Sequence, residues 1–143
     1  MDLNQSLGFL LNSGAKLMKR QLDSKLRAYQ ITSSQWAVLK LLSQNDKLSQ
    51  VEIAQAIKTD KATCGAIIDK LIKKEFVKRT ISQQDQRARI IEISPLALSV
   101  TDELTSLAEE TNTEALMGIK QKEQEIFIKT LEQLIINLEN KEI

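Results

Sequence analysis

The chain has no histidine and only one cysteine, one proline, one tryptophan and one tyrosine among its 143 residues. Without histidine it lacks the commonest general base and the commonest metal ligand of proteins. It also has no glycine-rich phosphate loop and no cysteine and histidine cluster with metal-ligand spacing. Adjacent carboxylates such as Glu109 and Glu110 fall on a charged helix face, where surface solubility explains them. We therefore expect no enzyme, no catalytic residue, no metal site and no cofactor.

The single cysteine, Cys64, excludes a disulfide within the chain and agrees with a reducing compartment. No apolar run approaches the roughly 18–20 residues that span a bilayer. The N-terminal segment has its apolar residues before its cations, which is the wrong order for a secretory signal. We expect a cytoplasmic protein with no membrane partner. The 42% of hydrophobic residues and the chain length predict one folded domain over residues 1–143.

Residues 49–93 have the pattern of two short helices followed by a β-hairpin. Ser49 and Glu52 form a capping box at the start of the first helix, and Thr59 or Asp60 is a suitable N-cap for the second. The second helix has apolar residues at the spacing i, i+3, i+4 and i+7, namely Cys64, Ile67, Ile68 and Leu71. Such a helix pair can place one helix in a DNA groove while the hairpin tip reaches the next groove.

The charge of this segment differs from that of the whole chain. Residues 58–89 contain nine lysines and arginines against four aspartates and glutamates, whereas residues 99–143 contain ten acidic residues against four basic ones. A near-neutral total of +1 therefore hides a basic centre and an acidic C-terminal region. A local basic patch is the electrostatic footprint of phosphate binding. A merely solvated lysine-rich surface is the alternative interpretation.

Most of the remaining chain has the periodicity of amphipathic helices. One long helix is predicted over residues 3–29, and a second begins at a Thr32–Gln35 capping box. A third begins at Ser94-Pro95, an N-cap followed by proline at the first helical position, and Gly118 is expected to end it. A final helix follows. The fold class is therefore mainly α with a small β-hairpin wing: a winged helix-turn-helix lobe at about residues 32–94, and helical regions at 1–30 and 95–143.

The helices at both ends carry apolar stripes that a lobe of this size does not need. We expect them to form a homodimer, because a two-fold pair presents two identical DNA-binding helices to two inverted half-sites about one helical turn apart. The alternative is that these helices fold back onto their own chain. The predicted dimerisation residues are Leu3, Leu7, Leu11, Leu131, Leu134 and Leu138.

Over nearly its full length the sequence resembles the MarR family of bacterial winged-helix transcription regulators. The matching segments are TSSQWAVLKLL, SQVEIAQAI, DKATCGAIIDKLIKKEFVKR and the wing sequence Asp85-Gln86-Arg87, followed by a strand from Arg89 to Ile93 and a cap at Ser94. The Asp-x-Arg wing followed by a strand and a capped helix is the most specific of these patterns. The resemblance implies a winged-helix fold and double-stranded DNA as a partner.

The resemblance also implies roles for individual residues. In the base-reading helix these are Lys61, Ala62, Thr63, Gly65, Ala66 and Lys70, with the two lysines near phosphates. Arg87 matches the wing arginine that the family inserts into the minor groove, where a narrow A·T-rich groove attracts guanidinium. Asp85 is expected to orient it, and Arg89 is a second candidate. Ser49 and Gln50, at a helix N-terminus, are expected to offer backbone N–H groups to a phosphate.

Three positions depart from the family pattern. Ala66 stands where a larger polar or basic residue is common, and together with Gly65 it gives a face that cannot make bidentate contacts to guanine or adenine. Thymine methyls remain available to it, and specificity is expected to lean on wing, shape and phosphate contacts. Glu75 stands where the family usually has a glycine, so the turn there is expected to be built differently. Ala97 likewise replaces a common glycine.

Many family members release DNA when a small, often aromatic, anionic ligand binds. The sequence does not indicate which ligand this chain would bind. Met18 and Trp36 are candidate lining residues of such a pocket, with packing in the core as the alternative. Some relatives sense oxidants through a cysteine elsewhere in the fold, whereas Cys64 falls on a buried stripe and is expected to act as a small hydrophobic residue.

From the sequence we predict a homodimeric transcription regulator, a repressor that binds a pseudo-palindromic operator and that a small-molecule effector releases. The alternative from another class is a winged-helix protein-interaction module or adaptor that has lost base-specific DNA reading. Gly65, Ala66 and Glu75 are the residues that favour this alternative.

Overall fold

The computed structural model describes residues 1–142, which form six α-helices and three short strands. The helices are α1 (Leu7–Leu26), α2 (Ser33–Gln44), α3 (Gln50–Ala56), α4 (Lys61–Lys73), α5 (Pro95–Ala115) and α6 (Gln121–Glu139), and the strands are β1 (Lys47–Ser49), β2 (Val77–Ile81) and β3 (Arg89–Ile93). Single turns of 3₁₀ helix precede and follow α1, at Leu3–Gln5 and Arg27–Tyr29. The chain forms two compact units, Met1–Thr111 and the part from Asn112 onwards.

The predicted hairpin is present and belongs to a three-stranded antiparallel sheet in the order β1-β3-β2. β2 pairs with β3 from Val77 opposite Ile93 to Ile81 opposite Arg89. β1 adds the third strand, with Leu48 opposite Ile91. The sequence analysis missed β1, because a three-residue strand that runs directly into a helix cap is too short to show alternation.

One hydrophobic core holds the helix-turn-helix and the sheet together. Cys64, Ile68 and Leu71 of α4 are fully buried, as their spacing predicted, and Ile67 is partly buried. The core also takes Leu26 from the end of α1 and Leu104 from α5. Burying a leucine or isoleucine side chain contributes on the order of 1.5–3 kcal/mol, an upper estimate. The inner face of α4 is therefore fixed, and with it the direction of its outer face.

The predicted capping boxes are confirmed. Thr32 Oγ1 accepts from the Gln35 N–H at 3.1 Å while Gln35 Oε1 accepts from the Thr32 N–H. Ser49 and Glu52 make the same reciprocal pair at 3.1 and 3.0 Å. Ser94 caps α5 through the Ala97 N–H, with Pro95 at the first helical position. Ala97 is fully buried, so its methyl group packs in the core.

The long N-terminal helix predicted over residues 3–29 is wrong at both ends. Ser6 is extended (φ −72°, ψ 117°), and its hydroxyl accepts from the Phe9 N–H, which starts α1 anew after the first 3₁₀ turn. At the other end, Gln30 adopts a left-handed conformation (φ 57°), which ends the helical turn at Tyr29. Both breaks depend on single polar residues that do not disturb the apolar periodicity.

The turn after α4 has the geometry that a glycine would normally adopt, which corrects the expectation that Glu75 changes the turn. Glu75 itself adopts the left-handed conformation (φ 61°). Its N–H donates to the Ile72 carbonyl at 2.9 Å, and the Phe76 N–H donates to the Leu71 carbonyl at 3.0 Å. This bond pair is a Schellman motif, which normally uses glycine. Because Glu75 has a Cβ atom, its left-handed conformation is strained, and the motif retains its geometry despite this strain.

Replacing Glu75 with glycine is expected to raise the free energy of unfolding by about 0.5–1 kcal/mol, because it removes the left-handed strain at the end of α4. Urea unfolding followed by circular dichroism measures this change. Glu75→Ala is the matched control, since it removes the same carboxylate from the helix C-terminus and retains the Cβ atom. Equal stability of the glycine and alanine variants would contradict the explanation.

The second unit contains the end of α5, a turn and α6. Gly118 has a left-handed conformation (φ 82°) in this turn, three residues after α5 ends at Ala115. No residue of α6 is buried. Its exposed side chains include Ile126, Phe127, Ile135 and Leu138. Among residues 1–142, none of the helices is both long enough and apolar enough to cross a membrane.

Candidate nucleic-acid interface

The outer face of α4, defined here as Ala62, Thr63, Ala66 and Lys70, is exposed over its whole length. The N-cap of α4 is Asp60, so of the two predicted candidates, Thr59 and Asp60, the second is confirmed. The buried stripe of α4 holds the helix from behind, so this face points away from the core. Gly65 lies at its edge and is half-buried.

Asp60 also holds the side chain of Thr63. The Thr63 N–H donates to Asp60 Oδ1 at 2.7 Å, and the Thr63 hydroxyl donates to Asp60 Oδ2 at 2.9 Å. The backbone and hydroxyl bonds from Thr63 keep the pKa of the Asp60 carboxyl below its ordinary value. Because the pKa of Asp60 is lowered in the folded state, the two hydrogen bonds from Thr63 are present at neutral pH. They are lost only as the pH falls through that lowered pKa.

Gln50 connects α3, α4 and the sheet. Its Oε1 accepts from Arg79 Nε at 3.0 Å, and its Nε2 lies where a Cβ atom on Gly65 would come within 3.3 Å. Arg79 Nη2 is also 2.9 Å from Asp69 Oδ1, which joins β2 to α4. Such an exposed ion pair contributes at most about 1 kcal/mol, but the three links together set the distance between α4 and the wing.

Arg79 and Asp69 were missed by the sequence analysis as site residues. They are ten positions apart and meet only because the Glu75 turn reverses the chain. The Gln50 side chain therefore has a bridging role that was not predicted, beside the predicted backbone contact to a phosphate, which stays a prediction. The Ser49 hydroxyl is engaged as the cap of α3.

Side-chain bonds to the backbone order the wing loop between β2 and β3. Ser82 Oγ accepts from the N–H groups of Gln84 and Asp85, and Asp85 Oδ1 accepts from the Arg87 N–H at 3.0 Å. Arg89 Nη1 donates to the Gln86 carbonyl at 3.0 Å. Asp85 thus orients the backbone of Arg87, and Arg89 braces the loop. Both act on the loop that presents the Arg87 guanidinium.

The wing and the helix-turn-helix share one concavity of about 400 Å³. It is lined by Ser49, Gln50, Val51, Lys61, Asp85, Arg87, Ala88 and Arg89. The structure therefore brings together three groups of predicted site residues that are far apart in sequence. Lys70 lies about two and a half turns further along α4 than Lys61, which lines this opening. Within residues 1–142, the side chains of Lys61, Lys70 and Arg87 make no hydrogen bond or ion pair, so their charges face solvent.

The two candidate effector-pocket residues have different surroundings. Trp36 packs against the core, and its indole N–H donates to Thr105 Oγ1 at 3.3 Å. Met18 is 37% exposed on α1. Cys64 is fully buried, with its Sγ 3.8 Å from the Gln50 carbonyl oxygen. Burial raises the pKa of the Cys64 thiol, with a smaller opposing effect of Arg79, which agrees with an unreactive structural thiol.

The predicted dimerisation residues lie on exposed helical surface in both units. In the first unit, Leu3 and Leu7 are exposed and Leu11 is half-buried. In the second, Leu138 is exposed, and Leu131 and Leu134 are half-buried. The outward α4, the wing and the sheet order define the chain as a winged helix-turn-helix protein.

Part of the chain matches the model of a known protein family. Residues 31–88 match the model of the MarR family. A probable transcriptional regulator from Pseudomonas aeruginosa is 24% identical, with a TM-score of 0.84 over 93% of this chain and 99% of that one. MepR of S. aureus, solved as a DNA complex, is 24% identical with a TM-score of 0.83, covering 92% and 98% of the two chains. BpsR of Bordetella bronchiseptica is 19% identical with a TM-score of 0.86, covering 94% and 96%.

The resemblance predicted from the sequence is confirmed over residues 31–88, which match the MarR family model, and nearly the whole chain has the fold of the solved proteins named above. The expected fold class, mainly α with a small wing, is confirmed as well.

Proposed function

We propose that the chain is a sequence-specific DNA-binding transcription regulator of the cytoplasm, a homodimeric repressor that binds a pseudo-palindromic operator. The observation that supports this proposal is the shared concavity, because both Lys61 of α4 and Arg87 of the wing line it within one compact unit. An exposed helix face and a basic arm with this arrangement suit a major groove and the adjacent minor groove. A non-enzymatic role is part of the proposal.

Charge supports the proposal. The cations of α4 (Lys61, Lys70 and Lys73) and of the wing (Arg87 and Arg89) are exposed, and the Asp69 carboxylate is paired with Arg79. Each phosphate that a lysine or arginine contacts releases condensed counterions, which makes affinity fall as salt rises. Selection of bound duplexes from a random library, followed by affinity titration over a range of salt, tests the function directly. Absence of binding even in dilute buffer would contradict it.

Lys70→Ala is expected to weaken binding to specific and nonspecific DNA alike. It is also expected to flatten the slope of log affinity against log salt by about one for each bound subunit, since each subunit loses one phosphate contact. Fluorescence anisotropy with a labelled duplex measures both quantities. Lys122→Ala on α6 is the matched control, because it removes an exposed lysine from a helix outside the winged lobe. A parental slope for Lys70→Ala would count against the phosphate contact.

We include a small-molecule effector in the proposal because the DNA binding of a structurally similar protein is regulated by one. BpsR has its DNA binding regulated by 6-hydroxynicotinic acid, a small aromatic acid. For this chain we propose a small aromatic anion as the effector class, with Met18 and Trp36 as candidate contacts. Such a ligand must bind one conformation of the dimer better than the other, because equal affinity for both shifts nothing. The same anisotropy titration, repeated with candidate anions, tests it.

A protein-interaction module is the second candidate function. The small side chains of the outer face favour it, since Ala62 and Ala66 carry no hydrogen-bonding group. Steep salt-dependent affinity for random duplexes supports the regulator. Absence of DNA binding at every salt concentration, together with a stable dimer, supports the adaptor.

A further inference from the structure

The outer face of α4 presents methyl groups where DNA-binding helices often carry long polar side chains. Ala62 and Ala66 are one helical turn apart and exposed. Thr63 lies between them and is also exposed. Its hydroxyl proton is committed to Asp60 at 2.9 Å. The hydrogen-bond donor of Thr63 is therefore not available to a base, and its methyl group and the hydroxyl lone pairs are what remain.

The charged residues of α4 lie away from these methyl groups, and Lys73 is in the last turn of the helix. Lys61 lines the concavity beside Arg87, on the wing side of the helix. Asp69 is held by Arg79 at 2.9 Å and so is tied to β2. Lys70 lies toward the C-terminal half of α4, whereas the N-terminal residues of such a helix usually contact base edges. In the first two turns of α4, Ala62, Thr63 and Ala66 therefore present no free side-chain donor, and the ammonium group of Lys61 lies on the wing side.

This chemistry selects among base pairs. In the major groove, guanine offers only acceptors and needs a donor such as arginine or lysine, whereas thymine offers a C5-methyl group and adenine an N6–H₂ donor. Methyl groups of Ala62, Thr63 and Ala66 complement the thymine methyl, and the Thr63 lone pairs complement adenine N6. Both features belong to the same A·T pair.

We propose that the outer face of α4 reads A·T base pairs through the C5-methyl groups of thymine, with Thr63 as a specificity-determining residue. This inference rests on the proposed DNA-binding function and names the sequence class that the site selects. It adds a base preference in the major groove to the wing, shape and phosphate contacts expected from the sequence.

Uracil substitution tests the proposal, because uracil differs from thymine only by the missing methyl group. The full-length dimer is first used to select duplexes from a random library. Each thymine of the selected site is then replaced by uracil, one symmetric pair at a time. Each symmetric replacement removes two buried methyl groups, one in each half-site, and is expected to weaken binding about fifteenfold. Thymines replaced in the flanks outside the selected site are the control and are expected to leave affinity unchanged.

Thr63→Ser provides the matched protein variant, since serine keeps the hydroxyl that Asp60 holds and loses the methyl group. At the thymine that Thr63 contacts, the loss of affinity caused by uracil is expected to be smaller in Thr63→Ser than in the parent protein. In the control variant Gln86→Ala this loss is expected to be as large as in the parent. Equal affinity for thymine and uracil at every position of the site overturns the methyl-reading proposal and leaves DNA binding intact. Selection of guanine at the positions facing α4 overturns it as well. Failure to retain any duplex in dilute buffer contradicts the proposed function itself.

Discussion

Replacing Arg87 with alanine is expected to weaken operator binding more than tenfold. Arg87 is exposed, and its backbone N–H donates to the Asp85 carboxylate at 3.0 Å, so the backbone that carries the guanidinium is already ordered. An arginine placed in a narrow minor groove gains from the concentrated negative potential there. A dimer loses two such contacts at once, so a loss of about 1.4 kcal/mol in total already gives a factor of ten.

Two variants separate the guanidinium from other wing effects. Gln86→Ala is the control, because it leaves the Gln86 carbonyl that accepts from Arg89 in place. Its affinity is expected to equal that of the parent. Arg87→Lys retains the charge and loses the planar fork, so it is expected to fall between the parent and Arg87→Ala. Unchanged affinity of Arg87→Ala in a titration with the selected duplex would refute the wing role.

Leu138→Glu is expected to weaken the dimer and, through it, to lower operator affinity by a factor on the order of 100 or more, since linked binding units gain 10²–10⁴ over single ones. Leu138 is 59% exposed in the single chain, so a glutamate there costs the fold of one subunit little. In an interface between two copies the same carboxylate would be buried without a partner, which is strongly unfavourable. Sedimentation equilibrium measures the association and anisotropy the DNA affinity.

Gln121→Glu is the matched control for this experiment. It adds the same charge to α6, at the first residue of the helix and away from the stripe that contains Leu131, Leu134 and Leu138. It is expected to sediment and bind as the parent does. A Leu138→Glu variant that remains fully dimeric would show that α6 does not contribute the proposed contacts.

Local features of the chain were predictable because their causes lie within a few residues. The Ser49–Glu52 and Thr32–Gln35 boxes, and the inward stripe of α4 ending at Leu71, follow from spacing alone. The fold class and the family resemblance followed from the order of these elements. The outward direction of Thr63 and Ala66 is a consequence of that same spacing.

Features that depend on distant residues were not predictable. β1 exists because Leu48 meets Ile91, and neither residue marks the other in the sequence. The Gln50 bridge to Arg79 likewise joins residues 29 positions apart. Glu75 shows a different limit: the backbone requirement of the turn outweighed the preference of its residue, since tertiary packing on both sides fixes the path of the chain.

The most direct test of the central claim is the number of chains on one operator. A labelled duplex that contains one selected site, titrated with the protein and followed by sedimentation equilibrium in dilute buffer, gives this number. The proposed arrangement predicts two chains per duplex, bound together, with affinity that falls steeply as salt is added. One chain per duplex, or duplex that sediments alone at every protein concentration, would contradict it.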